Sequence, residues 1–127
     1  MPHTSNLHAR DVRVFVPAKD FALSKAFYAA LGWTLTHVDE RVTLMDLAAR
    51  KLYLQDYYVK DWADNFMVYV TVESAAGWYA HATAVIASGK FPGAKVQAPQ
   101  EAHGALVTYV WDPSGVLLHF AQSLERP

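Results

Sequence analysis

The sequence predicts an α+β domain made of two βαβββ units, and three observations lead there. A strand, a helix and three further strands succeed one another twice along 127 residues. Each of the two helical stretches starts on a side chain that can cap it and stops at a glycine. The halves also agree in hydrophobic phase: Val14-Phe15-Val16 laid over Val68-Tyr69-Val70 brings the caps Asp20 and Ser74 into register, and Asp46 over Asp112 brings Leu52, Tyr53 and Leu54 over Leu118, His119 and Phe120. A plain α+β domain with two helices and no repeat is the competing organisation.

Val12, Val14 and Val16 alternate with Arg13 and Phe15, the period of a half-buried strand, and Pro17 closes it. Asp20 caps a helix in which Phe21, Ser24, Phe27, Tyr28 and Leu31 recur at spacings of three and four until Gly32. Trp33 to Val38, Val42 to Leu47 and Leu52 to Tyr57 are short β-branched and aromatic runs, as in an antiparallel meander. Phe66 to Val72 opens the second unit. Ser74 caps a helix running to about Ser88 and ended by Gly89, and strands follow near Lys95 to Ala98, Ala105 to Trp111 and Val116 to Gln122. Asp112-Pro113-Ser114-Gly115 has the residues of a type I turn. The expected division is a flexible start over 1–10, a first unit over 11–57, a link over 58–64, a second unit over 65–122 and a tail over 123–127.

A chain of this length can bury an ordinary core without staples. It has no cysteine, which removes disulfides, thiolate metal sites and cysteine nucleophiles and points to the cytoplasm. Met1 to Arg10 carries no apolar run, so neither a signal peptide nor a membrane span is expected. A net charge of -1 with scattered signs gives no footprint for nucleic acid. Glycine-rich phosphate loops, Gly-x-Ser-x-Gly elbows and HExxH pairs are missing, so nucleotide binding and nucleophilic hydrolysis have no support.

The stretch Val14-Phe15-Val16-Pro17-Ala18-Lys19-Asp20, with Ala26-Phe27-Tyr28 and Leu31-Gly32 behind it, resembles the opening of the vicinal oxygen chelate superfamily, which includes glyoxalases, extradiol dioxygenases and bleomycin-resistance proteins. Trp111-Asp112-Pro113-Ser114-Gly115 through His119-Phe120 is similar to its closing hairpin, and the His-Phe ending resembles the bleomycin-resistance branch, as does Asp64-Asn65 before Val68-Tyr69-Val70 and Trp78-Tyr79. The resemblance implies two βαβββ modules whose mixed sheets curl into half-open barrels with the site on the concave side. It also implies a homodimer, with ligand clefts between the two chains.

Enzymes of the superfamily hold one divalent metal through the first and last strand of each module, and the matching positions here are Arg13, Tyr53, Met67 and His119. A guanidinium has no lone pair to give and a thioether is too soft for a hard cation, so no resident metal or other cofactor is expected. Alternation of side chains reaches the same residues without the resemblance: Arg13 and Phe15, Tyr53 and Gln55, Met67 and Tyr69, and Leu117 and His119 each lie opposite the apolar faces of their strands. The expected ligand-binding set is Arg13, Phe15, Tyr53, Met67, Tyr69 and His119, suited to an apolar or aromatic ligand bearing an acid. Arg13 has a competing role as partner of a carboxylate such as Glu73 or Asp56, His119 as a core histidine, and the aromatic rings as packing. His103, in the Pro99-to-Gly104 loop, either overhangs this cup or is simply exposed.

The leading expectation is a non-catalytic protein that sequesters a small molecule, as antibiotic-resistance proteins of this branch do. Bleomycin is cationic and is a poor match to an arginine and a near-zero net charge. The alternative is a metal-dependent lyase or dioxygenase of the glyoxalase type with a divergent site using His119 and His103. A third reading makes Tyr57, Tyr58 and Trp62 an exposed contact for a partner.

Overall fold

A computed structural model describes residues 7–124; most of the expected flexible start and part of the tail lie outside the described residues, as does His3. The first half consists of β1 (Phe15–Pro17), α1 (Phe21–Leu31), β2 (Thr34–Asp39), β3 (Val42–Leu47) and β4 (Arg50–Gln55). A short helix α2 (Lys60–Asp64) follows, and then β5 (Met67–Thr71), α3 (Ala75–Ala87), β6 (Lys95–Ala102), β7 (Ala105–Trp111) and β8 (Leu117–Ser123). None of the described helices is long and apolar enough to cross a membrane.

The strands form two four-stranded mixed sheets with the same order, β1-β4-β3-β2 and β5-β8-β7-β6. In each, the first strand runs parallel to the last, which places Phe15 beside Tyr53 and Tyr69 beside His119. This is the correspondence the sequence repeat gives. Both helix starts are capped as expected, Asp20 accepting from the Leu23 N–H and Ser74 from the Gly77 N–H. Gly32 ends α1 at φ 116°, a left-handed conformation that a side chain would resist.

One face of each sheet is covered by the helices. Phe27, Tyr28 and Leu31 of α1 join Val16, Met45 and Leu54 of the first sheet and Val110, Leu118 and Phe120 of the second in one buried core. Burying side chains of this size contributes roughly 1.5–3 kcal/mol each. Trp78 of α3 lies flat on Phe120 with ring centroids 4.2 Å apart, and a ring nitrogen of His81 lies 3.0 Å from the Leu31 carbonyl oxygen, linking the helices. The opposite faces of both sheets are left uncovered.

A buried polar joint ties α1 to the turn between β7 and β8. The Tyr28 hydroxyl donates to Asp112 Oδ2 at 2.7 Å, and Asp112 Oδ1 accepts from the Ser114 and Val116 N–H groups at 2.8 and 3.1 Å. Ser114 Oγ accepts from the Lys19 N–H and meets Ser24 Oγ. Gly115 N–H donates to the Asp112 carbonyl, the closing bond of the expected turn. Burial pushes the Asp112 carboxyl up to about 6, against the lowering effect of its hydrogen bonds, and burial beside that carboxylate raises the Tyr28 phenol well above its ordinary value.

Several expectations from sequence are corrected. Val16 is fully buried, but Val12 and Val14 are 77% and 44% exposed, because the helical cover of the first strand ends at Val16. Alternation counts the sides of a strand and says nothing of how far its neighbours reach. The link contains α2, anchored by buried Ala63 and a Lys60–Asp64 pair one helical turn apart. The Pro99-to-Gly104 segment is mostly strand: β6 continues to Ala102 past a bulge at residues 97–100, where an edge strand tolerates Pro99. Only His103 and Gly104 turn, both left-handed, as in a two-residue hairpin.

Candidate functional site

The uncovered faces of the two sheets carry the residues singled out by alternation, assembled as two triplets. On the first sheet, Phe15 and Tyr53 are neighbours across the parallel pair and stack with centroids 5.0 Å apart. Arg13 donates from Nη1 to the Tyr53 hydroxyl at 2.9 Å and from Nε to Asp11 Oδ2 at 2.7 Å. Its ion-pair partner is therefore Asp11, two residues away on the same side of the chain, and not Glu73 or Asp56. The hydrogen bond to Arg13 holds the Asp11 carboxyl below its ordinary value, and that bond together with the one to Tyr53 raises the guanidinium. An acidic ligand at this face meets a cation already half neutralised.

On the second sheet Tyr69 and His119 are paired residues with ring centroids 5.7 Å apart, and Tyr109 packs edge-on to His119 at 5.1 Å. Met67 and Tyr69 project from the edge strand β5 and are 62% and 61% exposed. Partial burial lowers the His119 pKa, favouring the neutral ring, which offers one donor and one acceptor. Ala105, Val107 and Ala121 form a small buried cluster on this same face, with Tyr109 against it. Beside them runs a groove of about 540 Å³ bordered by Tyr69, Thr71, His103, Ala121 and Ser123. His103 is exposed in the hairpin turn and borders this groove.

Among the described residues, no hydrogen bond or ring contact joins the two triplets, which belong to separate sheets. The donor chemistry of Arg13, Tyr53, Met67 and His119 does not suit a hard divalent cation: the guanidinium is committed to Asp11 and Tyr53, the phenol accepts from the guanidinium, and the thioether is soft. His119 alone has the right character.

Other expected positions separate from these faces. His37 is exposed on β2, and His81 belongs to the joint between helices. Of the three aromatics expected to be exposed in the link, Tyr57 is, whereas Tyr58 lies under the Lys19 ammonium and Trp62 packs between Tyr57 and Phe66. Sequence reasoning missed Tyr109 and the floor of Ala105, Val107 and Ala121. Counting by twos along β7 and β8 from His119 reaches all four, and the run of small residues is the signal that a concave floor leaves.

Neither a family model nor a curated protein matches the sequence. Solved structures do match in shape. A bleomycin-binding protein from bleomycin-producing Streptomyces verticillus, in complex with copper(II)-bleomycin, is 16% identical with a TM-score of 0.76, over 91% of this chain and 98% of that one. A bleomycin resistance determinant encoded on the transposon Tn5 is 22% identical with a TM-score of 0.73, over 91% and 98%. A lactoylglutathione lyase from Agrobacterium tumefaciens is 12% identical with a TM-score of 0.62, over 91% and 95%. The fold is that of the bleomycin-resistance and glyoxalase proteins, and the two curled, unclosed sheets are its two modules.

Proposed function

We propose that this chain binds a largely apolar or aromatic small molecule without a metal, holding it between two copies of itself in the cytoplasm. The observation that carries the reading is the exposure of Phe15, Met67 and Tyr69 on the faces turned away from the helices. Large apolar side chains grouped on one face mark a contact with something else. In the proposed pairing, the Arg13–Phe15–Tyr53 face of one chain closes over the Met67–Tyr69–His119 face of the other, and the ligand lies between them. The shared fold with proteins that bind bleomycin supports a small molecule as the occupant.

Affinity then comes mainly from desolvation. A ligand burying about 200 Å² of apolar surface against these rings gains roughly 5 kcal/mol at 25 cal/mol per Å². Neutral His119 and the free edge of the Arg13 guanidinium supply orientation. A ligand acid competes with Asp11 for that guanidinium, so a weakly acidic or neutral aromatic compound is favoured over a strongly anionic one. The donor set discussed above supports the metal-free form of the reading over glyoxalase- or dioxygenase-type catalysis.

Native mass spectrometry of the full chain tests this. Two chains per particle are expected, falling to one in a Phe15→Lys, Tyr69→Lys double variant, with any co-purifying aromatic compound lost alongside. A wild-type protein that stays a single chain at every concentration refutes the closure. Equilibration with manganese, nickel, zinc or ferrous ions is expected to leave the mass unchanged; one metal per site, lost in His119→Ala, would overturn the metal-free reading.

A further inference from the structure

A second cavity lies where α3 and β5 face the turn between β3 and β4, touching the open faces only at its edge, through Tyr69, Thr71 and Lys51. It encloses about 810 Å³, within the range of sites that hold drug-sized molecules. Its apolar wall is set by strand pairing. Leu52 pairs with Met45, Val68 with Leu118 and Val70 with Phe120, and all three partners are fully buried, so this wall belongs to the helix-covered side of both sheets. Trp33 and Trp78 complete the wall, with Trp78 fixed by its stack on Phe120.

Two features show what this cleft is built to receive. Trp33 is only 4% exposed, and its indole Nε1 is the one buried side-chain polar atom without a hydrogen-bond partner among the described residues. An indole N–H can only donate, so it calls for an acceptor. At the rim stand Arg50 and Lys51, neither in an ion pair among the described residues; Arg50 spends one donor on the Ala48 carbonyl, and Lys51 exerts a pull on Asp11. Glu73 is the one acidic side chain bordering the cleft, leaving the rim with a positive excess.

We infer that this cleft is a distinct binding site for a flat aromatic anion, such as an aryl carboxylate or sulfonate. The ring system lies against Trp33, Trp78 and Leu52, the acid meets Arg50 and Lys51, and an oxygen accepts from Trp33 Nε1–H. Tyr69 borders both this cleft and the open face, but none of the residues assigned to the anion here belongs to either open-face triplet.

The probe is 8-anilinonaphthalene-1-sulfonate, titrated into the intact chain and followed by its fluorescence and by quenching of tryptophan. Saturable binding of one molecule per chain is expected. Trp33→Phe, which keeps a ring and removes the donor, and the exposed-rim pair Arg50→Gln, Lys51→Gln are each expected to weaken binding about tenfold. The uncharged analogue N-phenyl-1-naphthylamine is expected to bind about tenfold more weakly to wild type and equally to the rim variant. Tyr53→Ala and His119→Ala, at positions that do not line the cleft, are expected to leave the probe's affinity for the cleft unchanged. The inference is overturned if the probe does not saturate, or if the rim variant binds it as wild type does. Loss of binding in Tyr53→Ala or His119→Ala would likewise overturn it, moving the probe to the open faces and leaving their proposed role intact.

Discussion

The two halves of the molecule meet their partner helices in opposite ways. Where α1 reaches the β7–β8 turn, the gap is filled by Tyr28, Asp112, Ser24 and Ser114, all buried and hydrogen-bonded. Where α3 faces the corresponding β3–β4 turn, the Asp46 side chain, in the place of Asp112, accepts among the described residues only from the Ala49 N–H of its own turn, and a cleft lies beside that turn. Stepping from each cap to the equivalent helix position puts Ala82 where α1 has Tyr28. The repeat preserves the backbone plan, but the side chains at equivalent positions differ: a buried Tyr28–Asp112 hydrogen bond in one joint, Ala82 and Asp46 in the other. The first joint is sealed by polar contacts, and the second, hollow joint borders the cleft.

The largest effect should come from the sealed joint. Asp112→Ala leaves the Tyr28 hydroxyl and the Ser114 and Val116 N–H groups buried without an acceptor. Each such group costs about 1–3 kcal/mol, so a loss of about 4 kcal/mol in urea unfolding is expected. Asp46→Ala, on the exposed side of the hollow joint, should cost less than about 1 kcal/mol. Equal losses in the two variants would erase the contrast.

The pH dependence of stability sharpens the same point. Asp112 titrates near 6 when folded, above the 3.8 of the unfolded chain, so the folded state keeps this proton over an interval in which the unfolded state has lost it. The stabilisation is fully present below pH 3.8 and is lost as pH rises through 6, a change on the order of 3 kcal/mol from the two-unit difference. Asp112→Asn keeps an acceptor for the turn and removes the titration. Subtracting its stability-versus-pH curve from that of wild type should leave a descending step between those limits. A flat difference would mean that the carboxyl is solvated and the joint open.

Much of this plan was legible in the sequence, for physical reasons that differ by level. Element order, the caps at Asp20 and Ser74 and the stop at Gly32 are local events governed by nearby residues. Alternation likewise put Phe15, Tyr53, Tyr69 and His119 on the sides of their strands away from the helices, because a pleated strand leaves a side chain only two sides; that they divide between two sheets instead of sharing one cup follows from strand pairing, which alternation does not give. What escaped depends on distant neighbours. Val12 looked like core because its period is right, yet it is 77% exposed, and α2 has too few residues to display a period at all. The orphan indole of Trp33 depends on what the folded chain packs around it, so no local pattern announces it. Arg13's pairing with Asp11 was within reach of the same alternation, since residues two apart share a side.

The smallest expected effect lies in the turns that set the two joints. The β7–β8 turn places Gly115 at its left-handed position, φ 95°, whereas the β3–β4 turn puts Ala48 and Ala49 at φ 51° and 69°. A two-residue hairpin with both central residues left-handed favours Asn-Gly, since a β-carbon there crowds the carbonyl oxygen that follows. Ala48→Asn with Ala49→Gly should therefore relieve about 1–2 kcal/mol of conformational cost and give back part of it, about 0.4–1 kcal/mol, through the freer unfolded chain. A net gain of about 1 kcal/mol in urea unfolding is expected. Because Ala48 borders the cleft and its carbonyl holds Arg50, the swap also asks whether the turn matters to the site. Affinity for the aryl sulfonate should be unchanged if Arg50 keeps that bond. A loss of stability would show that the left-handed alanines are sustained by contacts within the hollow joint, and would make that joint less hollow than its side chains imply.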